Sequence, residues 1–249
     1  MNVLATELVH LRRGGTSVVV DLRGGRLPRI LHWGPDLGEA TTADLVSLAS
    51  SVQPTVGDSA ITYPQPIPVV PQLAEGWLGR PGIAGSRRGR DFAPLFRDAR
   101  SELSETEGRA RLRTEAVDEV GLLRMVVDLE LTDQGLLCLG VELVNEGQDA
   151  FRLDVLEPAV PIPDEAAEIL DWTGRWARER VPQRHPLPAG VWLRESRGGK
   201  PGLDGSSLMC VGAPGFGFRA GRVWAVHLAW SGNQALAAEL TPAGSRLLR

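Results

Sequence analysis

Two cysteines and one tyrosine stand in a chain of 249 residues. Cys138 and Cys210 are far apart and each lies inside an apolar run. That argues against a disulfide-stapled secreted fold; two reduced, buried thiols in a cytoplasmic protein are expected. Long apolar runs are missing too. Val18-Val19-Val20 is cut off by Asp21, and Leu208 to Phe218 is broken by Gly and Pro. Nothing approaches the roughly 18 uninterrupted apolar residues of a membrane helix, so no membrane partner is expected. Glu7 stands where a secretion signal needs its apolar centre, and no such signal is expected. Excess positive charge is absent as well. The 27 Lys+Arg against 31 Asp+Glu leave a net charge of −4, without the basic balance of a nucleic-acid binder. What the chain has instead is punctuation. Its 29 glycines and 18 prolines are nearly a fifth of all residues, which suits many short strands joined by turns. A hydrophobic content of 43% is enough to build a sizeable core.

Motifs for hard chemistry are also lacking. There is no phosphate-cradling Gly-Lys-Ser/Thr loop, no dinucleotide fingerprint, no His-Glu-x-x-His, no Cys-x-x-Cys and no Gly-x-Ser-x-Gly. Trp230-Ser231-Gly232-Asn233 lacks the leading Gly of a nucleophile elbow and reads as a strand-end turn. His10, His32, His185 and His227 show no ligand spacing, so no metal site and no cofactor is expected.

Period-2 alternation recurs along the chain. Thr16 to Asp21 lies between Gly14-Gly15 and Gly24-Gly25, and Leu27 to Trp33 follows it. Ala110, Leu112, Thr114 and Ala116 alternate with Arg109, Arg111, Arg113 and Glu115, giving one dry and one charged face. Leu122 to Thr132 and Leu136 to Asn145 flank Asp133-Gln134-Gly135 as a hairpin. Further strands are expected at 150–156, 191–195, 207–211, 223–230 and 235–240. Asp164 to Leu170 reads as strand, with a short helical turn as the alternative. About fifteen strands in one stretch of this length predict an all-β, large two-sheet antiparallel sandwich. Residues from about 50 to 89 carry Pro54, Pro64, Pro66, Pro68, Pro71 and Pro81 without apolar period and read as one long ordered loop.

Two clusters hold candidate binding residues. His32-Trp33-Gly34-Pro35-Asp36 ends a strand on an aromatic and a turn. Gly85 to Pro94 places Arg87, Arg88, Arg90 and Asp91 beside Phe92. That loop reads either as a solvated basic turn or as the mixture that binds sugars, with a ring face on an aromatic and hydroxyls on Asp and Arg. The seven tryptophans are expected mostly in the core. Trp33 and Trp77 adjoin turns or loops and are the two candidates to line a sugar site.

Taken in order, five segments resemble the bacterial α-galactosidases of glycoside hydrolase family thirty-six. Leu31-His32-Trp33-Gly34-Pro35-Asp36-Leu37-Gly38 is similar to an early strand and turn. Gly89-Arg90-Asp91-Phe92-Ala93-Pro94 resembles a Gly-Asp-aromatic-Arg-x-Pro loop. Thr173 to Arg180 resembles Gly-x-Trp-x-x-Glu, and Glu195-Ser196-Arg197-Gly198-Gly199-Lys200 resembles Ser-Arg-Arg-Gly. Val223 to Asn233 is similar to a strand ending in Tyr/Trp-Ser-Gly-Asn.

The resemblance implies an N-terminal β-supersandwich of the galactose mutarotase type over residues 1–249, with its last strands missing. It implies a catalytic TIM barrel absent from this chain, where two Asp residues would run a retaining mechanism; no residue here is therefore catalytic. It further implies an α-galactoside such as a raffinose-type sugar as ligand, the barrel as partner, and a homo-oligomer in which a loop of this domain reaches a neighbour's sugar pocket. Arg90, Asp91 and Phe92 are the candidates for that loop, with Trp77 as a further candidate. The family's Arg after the aromatic is Ala93 here, while Arg90 precedes the Asp. A stand-alone carbohydrate-binding module is a second reading. A mutarotase-like enzyme using His32, His227 and Glu179 as acid and base is a third.

Overall fold

A computed structural model describes the backbone of residues 2–3 and all atoms of residues 7–53, 66–77 and 79–249. The chain divides into two compact units, Met1–Ala159 and Val160–Arg249. The first holds β1 (Asn2–Val3), β2 (Leu8–Arg13), β3 (Thr16–Asp21), β4 (Arg29–Pro35), α1 (Thr42–Ser51), β5 (Ile83–Ser86), β6 (Arg97–Thr106), β7 (Arg109–Asp118), β8 (Leu123–Thr132), β9 (Leu137–Asn145) and β10 (Arg152–Leu156). The second holds β11 (Val160–Ile162), β12 (Glu168–Arg175), β13 (Arg178–Pro186), β14 (Gly190–Ser196), β15 (Leu208–Gly212), β16 (Val223–His227), β17 (Gln234–Leu240) and β18 (Arg246–Leu248). The fold is nearly all-β and antiparallel, as expected. Among the described residues the strands form five hydrogen-bonded sheets.

The core of the first unit follows from alternation. In the five-stranded sheet β1-β6-β7-β8-β9, Ala110, Leu112, Thr114 and Ala116 pair with Leu131, Leu129, Val127 and Met125. All eight are buried. The Thr114 hydroxyl is satisfied by Ser101 at 2.8 Å. The other face carries cross-strand ion pairs, Arg111 to Asp128 at 2.8 Å and Arg109 to Glu130 at 3.0 Å. Exposed pairs of this kind add little stability but keep that face wet.

The three-stranded meander β2-β3-β4 turns on Gly14 and Gly15, both in the left-handed region with φ of 56° and 73°. Positive φ at both central residues is the two-residue hairpin geometry that matches strand twist. Close approach fixes Gly14 a second time: a Cβ there would collide with the backbone of Gln134 and Gly135 at the β8–β9 turn. Within β3, Ser17 to Asp21 are all buried. A charge in such a strand needs partners. Arg23 supplies two side-chain bonds to Asp21, at 2.9 and 2.8 Å, and Arg29 joins it.

The helix α1 was not anticipated. Its sequence signature is the Thr41-x-x-Asp44 capping box, in which each side chain bonds the other's backbone N–H. Leu45 and Ala49, one turn apart, pack it onto Leu8 and Val19. The stretch expected as one loop from 50 to 89 is accordingly shorter and interrupted. Ser50 and Ser51 close α1, Leu73–Glu75 form a 3-10 turn, and Ile83–Ser86 are β5. Its prolines Pro54 and Pro64 lie outside the described residues. In the expected strand at 164–170, residues 164–165 form a turn and β12 begins at Glu168.

Two other expectations need correction. Cys138 is exposed and Cys210 half-buried, because Cys138 falls on the outward parity of β9 together with Glu142. Of the tryptophans only Trp77 and Trp224 are buried. Trp176 is 83% and Trp230 61% exposed, since they stand in the connections β12–β13 and β16–β17 rather than inside strands.

The second unit has two four-stranded sheets, β11-β18-β17-β14 and β13-β12-β15-β16. The buried carboxylate of Asp171 on β12 accepts from Arg194 at 2.8 Å and from the Trp192 indole at 3.2 Å, both on β14. That contact ties one sheet to the other through charge-assisted bonds.

Asp21 makes acid stability testable. Burial alone would raise its pKa, but hydrogen bonds from Arg23 and the charge of Arg29 outweigh it and hold the carboxyl below its ordinary value. A lowered folded pKa means the contribution is complete above the unfolded value, roughly pH 4, and is lost as pH falls below it. Asp21→Asn is expected to flatten the acid limb of a urea-denaturation series between about pH 5 and 2.

Candidate functional site

The loop after β5 is a tight hairpin built on arginines. Arg87 and Arg90 exchange backbone bonds of 2.8 and 3.0 Å across the Arg88-Gly89 turn. Arg88 and Gly89 have φ of 52° and 76°, and Asp91 has φ of 55°. Left-handed Arg and Asp residues are strained unless their surroundings hold them. Arg87 is what holds them. The residue is 8% exposed, and its guanidinium donates to Gly121 O at 2.6 Å, Asn145 Oδ1 at 2.6 Å, Asp149 O at 3.2 Å and Asp91 Oδ2 at 3.1 Å. It also lies 5.9 Å from the Phe151 ring centre. A Cβ on Gly147 would press on the same guanidinium. Arg88 adds an outer bond to Asp149 at 2.9 Å.

Held this way, the hairpin offers three free groups side by side. Phe92 is 70% exposed. Arg90 is exposed and makes no side-chain hydrogen bond or ion pair among the described residues. Asp91 gives Oδ2 to Arg87 but accepts nothing at Oδ1 from the described residues, and its side chain is a quarter exposed. A ring face, a cation and a carboxylate oxygen on a rigid turn are the groups that grip a polyhydroxylated ring.

The other two candidates sit elsewhere. Trp77 is 7% exposed and donates its indole N–H to Arg80 O at 2.9 Å, so its ring packs inside the fold. It precedes β5, whereas Arg90 to Phe92 follow it. Trp33 pairs with Val18 on β3, two residues from the Thr16–Pro35 pair. Thr16 lies against Gly135 in the β8–β9 turn, while Arg87 bonds Gly121 and Asn145 at the other end of that hairpin. With ten residues in β8, the two places are roughly 30 Å apart at ~3.3 Å per residue. The structure therefore does not bring Trp33 or Trp77 to the Arg90 hairpin. What sequence reading missed is Arg87 itself, which looked like one more residue of a basic run. Its partners Asn145 and Asp149 gave only a turn signal.

The cluster around Trp33 is a framework. Asp36 accepts both Arg12 bonds, at 2.8 and 2.9 Å, as well as Ser17 at 3.0 Å and the Gly38 N–H at 3.0 Å. The Arg12 bonds first, then the Gly38 N–H, hold its carboxyl well below the usual carboxylate range. His10 meets the Ser17 hydroxyl at 2.8 Å, and burial together with Arg12 lowers its pKa. The order is wrong for a nucleophile. Serine sits between histidine and aspartate, fully buried, and also accepts from the Leu37 N–H at 3.0 Å.

In the second unit, three of the motif-bearing segments gather at one end. Ser196 pairs with Gln234, and Asn233 Oδ1 accepts from the Gly199 N–H at 2.8 Å. Thr173 donates to Asp204 O at 2.8 Å. Gly174 marks a bulge in β12, where a Cβ would strike the carbonyl of Arg178. These segments build turns and hold no acid–base pair. His227, on β16, bonds Ser207, and Glu179, on β13, accepts from the Ala177 N–H. β13 and β16 are opposite edges of one sheet, about 14 Å apart at the usual strand spacing. His32 is engaged with Pro35 O at 3.2 Å. A cleft of about 280 Å³ between Glu168, Arg184, His185 and Pro214 is closed chemically, since Glu168 gives its two oxygens to Arg184 and the Gly215 N–H, both at 2.6 Å. Among the described residues no group of His, Cys, Asp or Glu is placed to hold a metal.

With this geometry in view, comparison with known proteins is decisive. The profile of the glycosyl hydrolase family 36 N-terminal domain matches residues 26–249. The chain belongs to that family. An α-galactosidase of Escherichia coli is 31% identical to this N-terminal domain over 220 residues, 88% of the chain and 30% of that enzyme. Among solved structures, the α-galactosidase AgaA of Geobacillus stearothermophilus superposes with a TM-score of 0.80 at 18% identity, covering 97% of the chain and 36% of the enzyme. That of Lactobacillus brevis gives 0.81 at 16%, covering all of the chain and 36% of the enzyme. Forms of AgaA have been solved with stachyose and with raffinose. The chain spans about a third of the length of these relatives.

The Arg87 bracket is open to test. Arg87→Ala would strand the acceptors of Asn145, Asp149 and Gly121 and is expected to cost about 3 kcal/mol. Urea denaturation measures the loss, and faster proteolytic cutting between 88 and 92 would show that the hairpin had been released. Arg87→Lys should recover only part, because an ammonium cannot copy the planar fork.

Proposed function

We propose that this chain is the N-terminal, non-catalytic domain of a cytoplasmic α-galactosidase whose catalytic barrel lies in the remaining two thirds of the enzyme. The observation that carries the reading is the family match over 26–249 together with 31% identity to an α-galactosidase at only 30% of its length. Two free thiols suit a reducing compartment. In this reading the domain supports the barrel, joins copies of the enzyme into a homo-oligomer, and extends Arg90, Asp91 and Phe92 toward an α-galactoside of the raffinose type. Phe92 would lie on a sugar face while Arg90 and the free Asp91 oxygen take hydroxyls.

The isolated chain should not hydrolyse an aryl α-galactoside. Measurable turnover that disappears when one of its own carboxylates is changed would overturn the reading. In the whole enzyme, Phe92→Ala and Arg90→Ala are expected to raise KM for raffinose roughly tenfold, the size of one lost contact of about 1.4 kcal/mol, with kcat little changed. The exposed Phe92 also permits a stand-alone sugar-binding role. Calorimetry of the free chain with millimolar raffinose separates the two, since a flat titration leaves only the domain of a larger enzyme.

A further inference from the structure

Strand β9 is the outer strand of the five-stranded sheet. Natural proteins protect long sheet edges with proline, charge, bulges or brevity. Most edges here show such devices. β13 carries Pro182, Arg178 and Arg180, the last at φ 51°, and its register with β12 is bulged. β2 has Arg12 and Arg13 locked to Asp36 and Asp133. β1 is two residues long and β16 is five. β9 has the least of these. Its nine residues, Leu-Cys-Leu-Gly-Val-Glu-Leu-Val-Asn, include one charge, no proline and no bulge against β8.

The unpaired backbone groups can be assigned. The Thr132 N–H donates to Leu136 O at 3.0 Å, and at the far end the Glu146 N–H donates to Leu122 O at 2.9 Å. Alternation along the antiparallel ladder then gives the even residues to β8. Leu137, Leu139, Val141 and Leu143 point their N–H and C=O groups to the open edge, where no described residue bonds them. Their side chains lie on the core face, and all four are only half-buried.

We propose that β9 pairs antiparallel with β9 of a second copy about a two-fold axis at Gly140, joining two five-stranded sheets into one. The strand is complementary to itself in this register. Leu139 stands opposite Val141 of the partner subunit, and Leu137 opposite Leu143 of the partner subunit, so each outward backbone group meets its match. Leu136, 63% exposed, faces Val144 of the partner subunit. Glu142, the one charge, faces Cys138 of the partner subunit rather than its own image. Centring on Glu142 would set two carboxylates face to face, and centring on Val141 would set Leu136 against a glutamate. This interface rests on the oligomer reading above and gives that oligomer a place on the fold.

Cysteine cross-linking and a proline block test it in the full chain. In the Cys138→Ser background, Gly140→Cys puts a thiol on the axis. A Cβ there has ordinary room, 3.8 Å from the nearest atom, Asp128 Cβ. Non-hydrogen-bonded antiparallel pairs bring Cα atoms to about 4.5 Å, within disulfide reach. Mild oxidation should convert most of the chain to a covalent dimer on a non-reducing gel, while Glu142→Cys in the same background should not. Val141→Pro removes an outward N–H and leaves the β8 ladder whole; light scattering should show monomer with unchanged circular dichroism. A dimer that survives Val141→Pro and fails to cross-link at 140 overturns this interface and leaves the oligomer intact. A chain that is monomeric at every concentration, alone and in the whole enzyme, overturns both.

Discussion

The first unit depends on one continuous inward face, the row from Ala110 to Ala116 on β7 set against Met125 to Leu131 on β8. Its eight side chains are buried, and the hydrophobic effect at about 25 cal/mol per Å² is the only term large enough to pay for ordering so many residues. Everything around it takes its position from that pair of strands. The β2–β3 hairpin rests its Gly14 tip on the β8–β9 turn, and Arg87 anchors the candidate loop to the opposite end of the same ladder. The two motif clusters of this unit are separated because the hairpin between them is long, with ten residues in β8 and nine in β9.

Arginine is the second recurring device. All but one of the 27 basic residues are arginine. Asp21 is held by Arg23 and Arg29, Asp171 by Arg194, and the Arg90 hairpin by Arg87. Arg23 grips both oxygens of Asp21 and the buried Arg87 reaches four acceptors with its planar fork, whereas Arg194 makes one bond to Asp171. Such pairs contribute less to net stability than apolar packing would, because desolvation offsets much of the attraction. Their effect is on shape: they fix which loop meets which strand. For the candidate site that effect matters most. A rigid hairpin loses little entropy when it meets a ligand, and Arg90, Asp91 and Phe92 keep their free groups because Arg87 does the structural work.

Sequence reading reached the strands by alternation and the family by five ordered segments. It reached less of the site. Arg90, Asp91 and Phe92 share a loop because they are consecutive, and that much was legible. Trp33 and Trp77 were grouped with them on composition, and the fold sends one to the far end of the β8–β9 hairpin and buries the other. The helix α1 was hidden among strand signals, although its capping box is plain in Thr41 and Asp44. A large apolar ring favours burial in general, which is the reason to expect Trp176 and Trp230 in the core, whereas their place in connections between strands decides the matter locally.

By itself the sequence determined the β class, the charged and dry faces of β7, the hairpin between β8 and β9, and membership of a family whose enzymes are three times longer. Each of these is written in near neighbours along the chain, through side-chain parity, turn residues and motif order. Tertiary structure alone decided that Arg87 is buried while Arg90 is exposed, that Asn145 and Asp149 brace a loop some sixty positions earlier, and that no described strand pairs with the outer edge of β9. Those depend on which strands come to lie side by side, and strand order is set by long-range burial that no local pattern records.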